Sequence, residues 1–236
     1  MRHHYVPQFL LRAWSDGTPD KKIETFRLDL THLPSSRFTP KHTGYEDDLY
    51  ALSLPVVASM EQHAVEKHVL QHVDNLAARV RLKMEVSGLK SLSIDERSDW
   101  VRFVVSLRLR QPEMVLHLKN DATTHLRKTL RDSPGEYEAL AESGEPPTLE
   151  EWTEQRFPGL IENFGLSFFH KLIADVDIGE DIFRMKWWLW DFSRTGRKLI
   201  LADRPCILTS ALKSPDCMLA LPISPIKAFL ARAGSF

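Results

Sequence analysis

The chain has 236 residues, 43% apolar and 27% charged, with a formal net charge of −1. That size and mix suit a globular chain with a sizeable core, and the near-zero charge excludes a molecule that binds polyanions over its whole surface. No apolar run approaches the roughly 18 residues of a membrane-spanning helix, so no membrane association is expected.

In chain order, Pro7 to Trp14 is predicted to be a short helix. Pro7 lies in its first turn, where a missing N–H does no harm, and Phe9, Leu10, Ala13 and Trp14 form its apolar side. The run Asp16-Gly17-Thr18-Pro19-Asp20 breaks it. Ile23 to Leu30 reads as a strand, Thr31 to Tyr45 as a surface loop, and Leu49 to Leu54 stays ambiguous. Ser59 to Glu85 carries the strongest helical signal, with Val65, Val69, Val73, Leu76 and Val80 recurring at three- and four-residue steps. Ser87-Gly88 ends it. Ser93-Ile94-Asp95-Glu96 is a capping box into the next helix, whose wide apolar face holds Trp100, Val101, Val104, Val105 and Leu107. Pro112 marks its end or a kink. Further helices are expected over Glu113 to Leu130, after the cap Thr148 to Glu151, and over Leu160 to Ala174, with Gly165 a weak point.

Beyond residue 180 the pattern changes. Phe183 to Phe192 and Lys198 to Leu201 read as a hairpin across Thr195-Gly196. Cys206 to Thr209 and Cys217 to Leu221 read as strands, and Pro225 as the start of a last helix ending at Gly234. The expected fold is one α+β domain over residues 1–236. It has a helical segment at about residues 59–175, and its N-terminal and C-terminal strands form one small, largely antiparallel sheet.

Charge is unevenly spread. Arg79 to Arg131 holds twelve Lys or Arg against six Asp or Glu, and Asp132 to Glu162 holds nine acidic residues against Arg156 alone. Two readings follow: a positive face toward a phosphate-bearing substrate, or neighbouring helices that neutralise each other. Cys206 and Cys217 form no CxxC pair, which argues against a cysteine zinc cluster. They fit a reducing compartment, and with no signal-peptide pattern at the N-terminus a cytoplasmic location is expected.

The opening MRHHYVPQFLLRAW raises the main functional question. Histidines before a helix N-terminus can bind a metal or shuttle protons, and the helix end attracts anions. HHYVPQFLLRAW resembles the opening of the domain-of-unknown-function 4238 family of uncharacterised bacterial proteins. Gly44 to Tyr50 is similar to that family's acidic-aromatic stretch, and Arg110-Gln111-Pro112 to its Arg-Thr-Pro. Ala202-Asp203-Arg204-Pro205 resembles its Ser-Asp-Asn-Pro, and Leu221 to Pro225 its closing Pro-Leu-Ser segment. The resemblance makes the histidine pair part of a motif and not a purification scar. Leu107 departs from a family Gln and Ala202 from a family Ser. No reaction is implied by the resemblance.

The matched residues His3, His4, Glu46, Asp47, Asp48, Arg110 and Asp203 come from distant parts of the chain. Carboxylates with histidines suit Mg²⁺ or Mn²⁺, and a bidentate Arg110 suits phosphate. The candidate catalytic set is therefore His3, His4, Asp203 and Arg110. The candidate metal ligands are His4, Glu46 and Asp203, and the candidate substrate contacts are Gln8, Arg12 and Arg108. The expected function is a metal-assisted phosphodiesterase or nuclease acting on nucleic acid or a nucleotide. The alternative is a non-catalytic module that binds protein or nucleic acid, with HHYVPQ as a structural plug. Asp203 as a turn residue and Arg110 as a helix C-terminal charge are the plainer readings of those two.

Glu61, His63, Glu66, His68 and His72 form a second set on one helix, read by default as edge-of-core or solvent-facing. Trp187, Trp188 and Trp190 could stack on bases, although a strand covered on both sides accounts for them without a ligand. No phosphate loop, nucleophile elbow or dinucleotide fingerprint occurs, so no nucleotide cofactor is expected.

Overall fold

The N-terminal motif enters the fold as a strand. In the computed structural model, which describes residues 1–15, 17, 19–28, 32–53, 62–132 and 134–234, β1 spans Arg2–His4. Pro7 then sets φ at −58° ahead of α1 (Gln8–Leu11), which tightens into a 3-10 turn over Arg12–Trp14. β2 (Ile23–Phe26) pairs antiparallel with β3 (Ser35–Phe38). β4 (Tyr45–Asp47) returns to β1, placing Glu46 opposite His3 and Tyr45 opposite His4. Gly44 makes that return possible. Its φ is +64°, and an added Cβ would lie 3.0 Å from the Val6 Cβ.

The middle of the chain is helical. A π-helical turn over Val65–Leu70 runs into α2 (Gln71–Ser87), which stops at Gly88 with φ +74°. α3 (Ile94–Leu109) begins at the expected capping box. The Ser93 hydroxyl accepts from the Glu96 N–H, and the Glu96 carboxylate accepts from the Ser93 N–H. α4 (Pro112–Asp132), α5 (Pro134–Glu138), α6 (Leu149–Arg156), α7 (Leu160–Ser167), α8 (Phe169–Ile173) and α9 (Val176–Arg184) follow. The last sheet comprises β5 (Lys186–Asp191), β6 (Ile207–Leu208), β7 (Met218–Ser224) and β8 (Lys227–Arg232), in the antiparallel order β5-β8-β7-β6.

α3 is the hub. Trp100, Phe103, Val104 and Leu107 are buried. Phe103 meets Phe9 of α1 at a ring distance of 5.2 Å, and Trp100 meets Phe229 of β8 at 5.5 Å. The α+β class, the helix-rich middle and the antiparallel pairing at both ends match the sequence reading. Among the described residues the strands do not share one sheet, however, but fall into three. β1 and β4 are only three residues long and pair with each other, while α3 packs against the N-terminal segment on one side and the C-terminal sheet on the other.

Other expectations change as well. Residues 198–201 are not a strand; the Leu199 N–H donates to the Pro225 carbonyl at 2.7 Å instead. β5 pairs with β8, not with that segment. Pro225 opens no helix but sits in the tight β7–β8 hairpin, with Ser224 opposite Lys227. The Leu160–Ala174 helix breaks at Phe168 into α7 and α8, and the expected loop 31–45 contains β3. The N-terminal end of the Ser59–Glu85 helix and the end of the Leu49–Leu54 segment fall outside the described residues. Among the described residues no helix is long and apolar enough to cross a membrane.

Candidate functional site

β1 buries two histidines in succession. His3 is fully buried, with its ring stacked on Tyr50 at 5.3 Å and an interplanar angle of 5°. The Tyr50 backbone N–H donates to His3 Nδ1 at 2.8 Å, and His3 Nε2 lies 3.2 Å from His63 Nδ1. A neutral imidazole carries one N–H, so an accepting Nδ1 puts the proton on Nε2. His3 therefore donates to His63. Burial, with help from the neighbouring His63, lowers the His3 pKa to about 4, so the ring is neutral near pH 7. Asp48 stands at the outer end, with Oδ1 4.0 Å from His63 Nδ1 and 2.6 Å from the Met1 amine. One donor atom each from His3, Asp48 and His63 lie within 4.8 Å of one another.

A second layer lies beneath. The Tyr50 hydroxyl donates to the Arg110 carbonyl at 2.7 Å. Arg110, the cap residue of α3, is fully buried, and its guanidinium grips Asp74 with two bonds of 2.8 and 3.1 Å. It also donates to the Ser106 hydroxyl at 2.6 Å and the Ser106 carbonyl at 3.3 Å. Burial pulls the guanidinium pKa down; the Asp74 carboxylate more than offsets this and holds it up.

Glu66 projects from the π-helical turn, a distortion often found at functional positions. Burial raises its carboxyl to about 7, against the pull of Arg110 and with the push of Asp74. Its Oε2 is buried and has no hydrogen-bond partner. His4, 7% exposed, is lowered by burial despite hydrogen bonds to the backbone of Pro40 and Lys41. Its Nε2 is likewise buried and unpartnered, so those backbone bonds come from Nδ1–H. Two orphaned polar atoms thus flank the Arg110–Asp74 pair.

A family described as a protein of unknown function, DUF4238, matches residues 2–235, from β1 through the last sheet. The chain belongs to the DUF4238 family. No curated protein and no solved structure matches it. The DUF4238 match spans every residue of the polar cluster, and the motif that opens it is largely buried: His3, His4, Val6 and Pro7 are all inside.

The other sequence candidates in this DUF4238 chain lie elsewhere. Glu46 and Asp203 are exposed. After burial, both act with Glu113 to push the Tyr5 phenol to about 12, which places them around Tyr5. His4, Glu46 and Asp203 are therefore not drawn into one ligand group; among the described residues such a group is His3, Asp48 and His63. Arg110 has no free fork for a phosphate, because Asp74 and Ser106 occupy it. Gln8 is half-buried and accepts from exposed Arg12 at 3.4 Å, and Arg108 is exposed on α3 near Cys206. Burial pushes the Cys206 thiol to about 12, which disfavours the thiolate near pH 7. His68 and His72 are exposed, as the plainer reading expected.

Sequence reasoning missed Asp74 and undervalued His63 and Glu66. The last two are three residues apart and share a helix face, which was the available signal. Nothing local marks Asp74, whose partner lies 36 residues away.

Proposed function

We propose that this DUF4238 chain is a non-catalytic binding module in which HHYVPQ is a structural plug. The observation that carries this reading is the proton inventory of the buried cluster. His3 spends its lone pair on the Tyr50 N–H and its proton on His63, and Arg110 spends its fork on Asp74. A metal ligand normally donates its other ring N–H and keeps a lone pair for the ion; His3 is wired the opposite way. Removing the ring would strand a buried backbone N–H, at about 1–3 kcal/mol, and leave a cavity. His3→Ala with His4→Ala should accordingly lower the melting temperature by several degrees, with or without Mg²⁺ or Mn²⁺. An unchanged melting temperature would remove this reading.

A second reading keeps one specific observation. The three donor atoms of His3, Asp48 and His63 are close enough to share an ion. A metal-assisted phosphodiesterase would need His3 to release the Tyr50 N–H before Mg²⁺ or Mn²⁺ could bind. Metal-dependent cleavage of RNA or DNA by the folded chain, lost in His63→Ala, would favour it.

A further inference from the structure

The C-terminal sheet buries one face in the core, and its other face carries exposed aromatic and aliphatic side chains toward its two edges. Trp187 and Leu189 of β5 pack into the core with Phe229 and Ala231 of β8. Trp187 is pinned there by Arg97, whose guanidinium lies 4.0 Å above its ring, and its indole N–H donates to the Ile182 carbonyl at 2.9 Å. The sequence expectation of a strand covered on both sides therefore holds for the inner side and only in part for the outer one. Trp188 and Trp190 alternate to the outer face, where Trp190 is 57% exposed and Trp188 half-buried beside the buried Leu230 and Ala228 of β8. Phe192 extends the row, 5.1 Å from Trp190 ring to ring, and Ile207 on the opposite edge strand is 56% exposed.

The charge around this face is one-sided. Residues 186–234 hold eight Lys or Arg (Lys186, Arg194, Arg197, Lys198, Arg204, Lys213, Lys227, Arg232) against Asp191, Asp203 and Asp216, a net of +5. Lys186 and Arg232 are exposed and directly opposite each other in the β5–β8 ladder. Like charges so placed repel, and the nearest relief is Asp216, 3.7 Å from Arg232. Arg194, Arg197 and Lys198 are exposed just beyond Phe192. A row of aromatic rings with cations at both ends matches the chemistry of a strand of bases: flat faces to stack and phosphates to neutralise. A protein partner would use the rings but would not call for cations at both ends.

We propose that the outer face of the β5–β8–β7–β6 sheet binds single-stranded nucleic acid, with Trp188 and Trp190 stacking on bases and Lys186 and Arg232 holding phosphates. This deepens the binding-module reading and rests on it. The test is fluorescence anisotropy with labelled oligo-dT and oligo-U, and with an abasic oligomer of equal length, on the intact chain. Tight binding of the base-bearing strands and at least tenfold weaker binding of the abasic one are expected. Trp188→Ala and Trp190→Ala should each weaken binding about tenfold, with circular dichroism unchanged because both side chains lie outside the core. Lys186→Gln with Arg232→Gln should flatten the salt dependence, lowering the log–log slope by about 1.4 for two phosphate contacts.

Equal binding of abasic and base-bearing strands, or full binding by the Trp variants, would overturn the stacking face while leaving the binding module intact. No binding of any oligomer would overturn the inference and redirect the module to a protein partner. The plug reading is decided separately, by the melting of His3→Ala/His4→Ala.

Discussion

His3 and Glu66 are shifted in opposite directions by the same cause, burial of a charge. Folding lowers the His3 pKa from 6.5 to about 4, so between those values the unfolded chain binds more protons and stability rises with pH. Folding raises Glu66 from 4.5 to about 7, so over that window the folded chain holds more protons and stability falls as pH rises. Each effect is about 3 kcal/mol at most, so the two nearly cancel across their shared window. Glu66→Gln removes one of them. The variant should gain on the native chain steadily from pH 4.5 to 7, by up to about 3 kcal/mol, in urea unfolding at half-unit pH steps. A gain that does not grow with pH would mean that Glu66 is not held protonated. The histidine pair was legible in the sequence because its residues are adjacent and begin a motif. The charge pairing beneath it was not, because Arg110 and Asp74 meet only once α2 and α3 have packed.

At the level of elements, local signals were the readable ones. The Ser93–Glu96 box needs only four residues, and it formed as expected. The β8 segment Lys-Ala-Phe-Leu-Ala-Arg is a short apolar run that suits a strand or a helix equally, and its hairpin partner decided it. Trp190 looked covered because alternation tells which residues share a face, not whether a second layer lies over it. Gly165 appeared as a weak point in a helix, and the structure explains it by contact. A Cβ there would stand 2.6 Å from the Leu118 carbonyl oxygen of α4 and 3.2 Å from the Ala122 Cβ. Helix propensity favours alanine over glycine by about 1 kcal/mol, but wedging α7 from α4 costs about 1–3 kcal/mol. Packing should win, so Gly165→Ala should melt below the native chain. A variant that melts at or above it would show that the two helices can separate at little cost.

For the molecule as a whole, the uneven charge resolves into two regions with different fates. Arg127 pairs with Glu150, Glu154 and Glu162, and Arg131 with Glu150, so the basic middle and the acidic stretch after it neutralise each other across α4, α6 and α7. Such surface pairs add little stability, but they quench the positive charge at the C-terminal end of α4. The net positive charge that remains is concentrated around the C-terminal sheet. On the proposed plug reading, the motif at the other end ties β1 to β4 and to the Tyr50 and His63 segments. That account turns on which nitrogen of His3 carries the proton. It is tested most directly by ¹⁵N NMR of the histidine side chains at pH 7, with and without Mg²⁺ and Zn²⁺. The expected spectrum has His3 protonated at Nε2, unprotonated at Nδ1, and unmoved by either ion. A His3 protonated at Nδ1, with an Nε2 resonance that shifts when metal is added, would contradict the plug and turn the same three residues into a metal site.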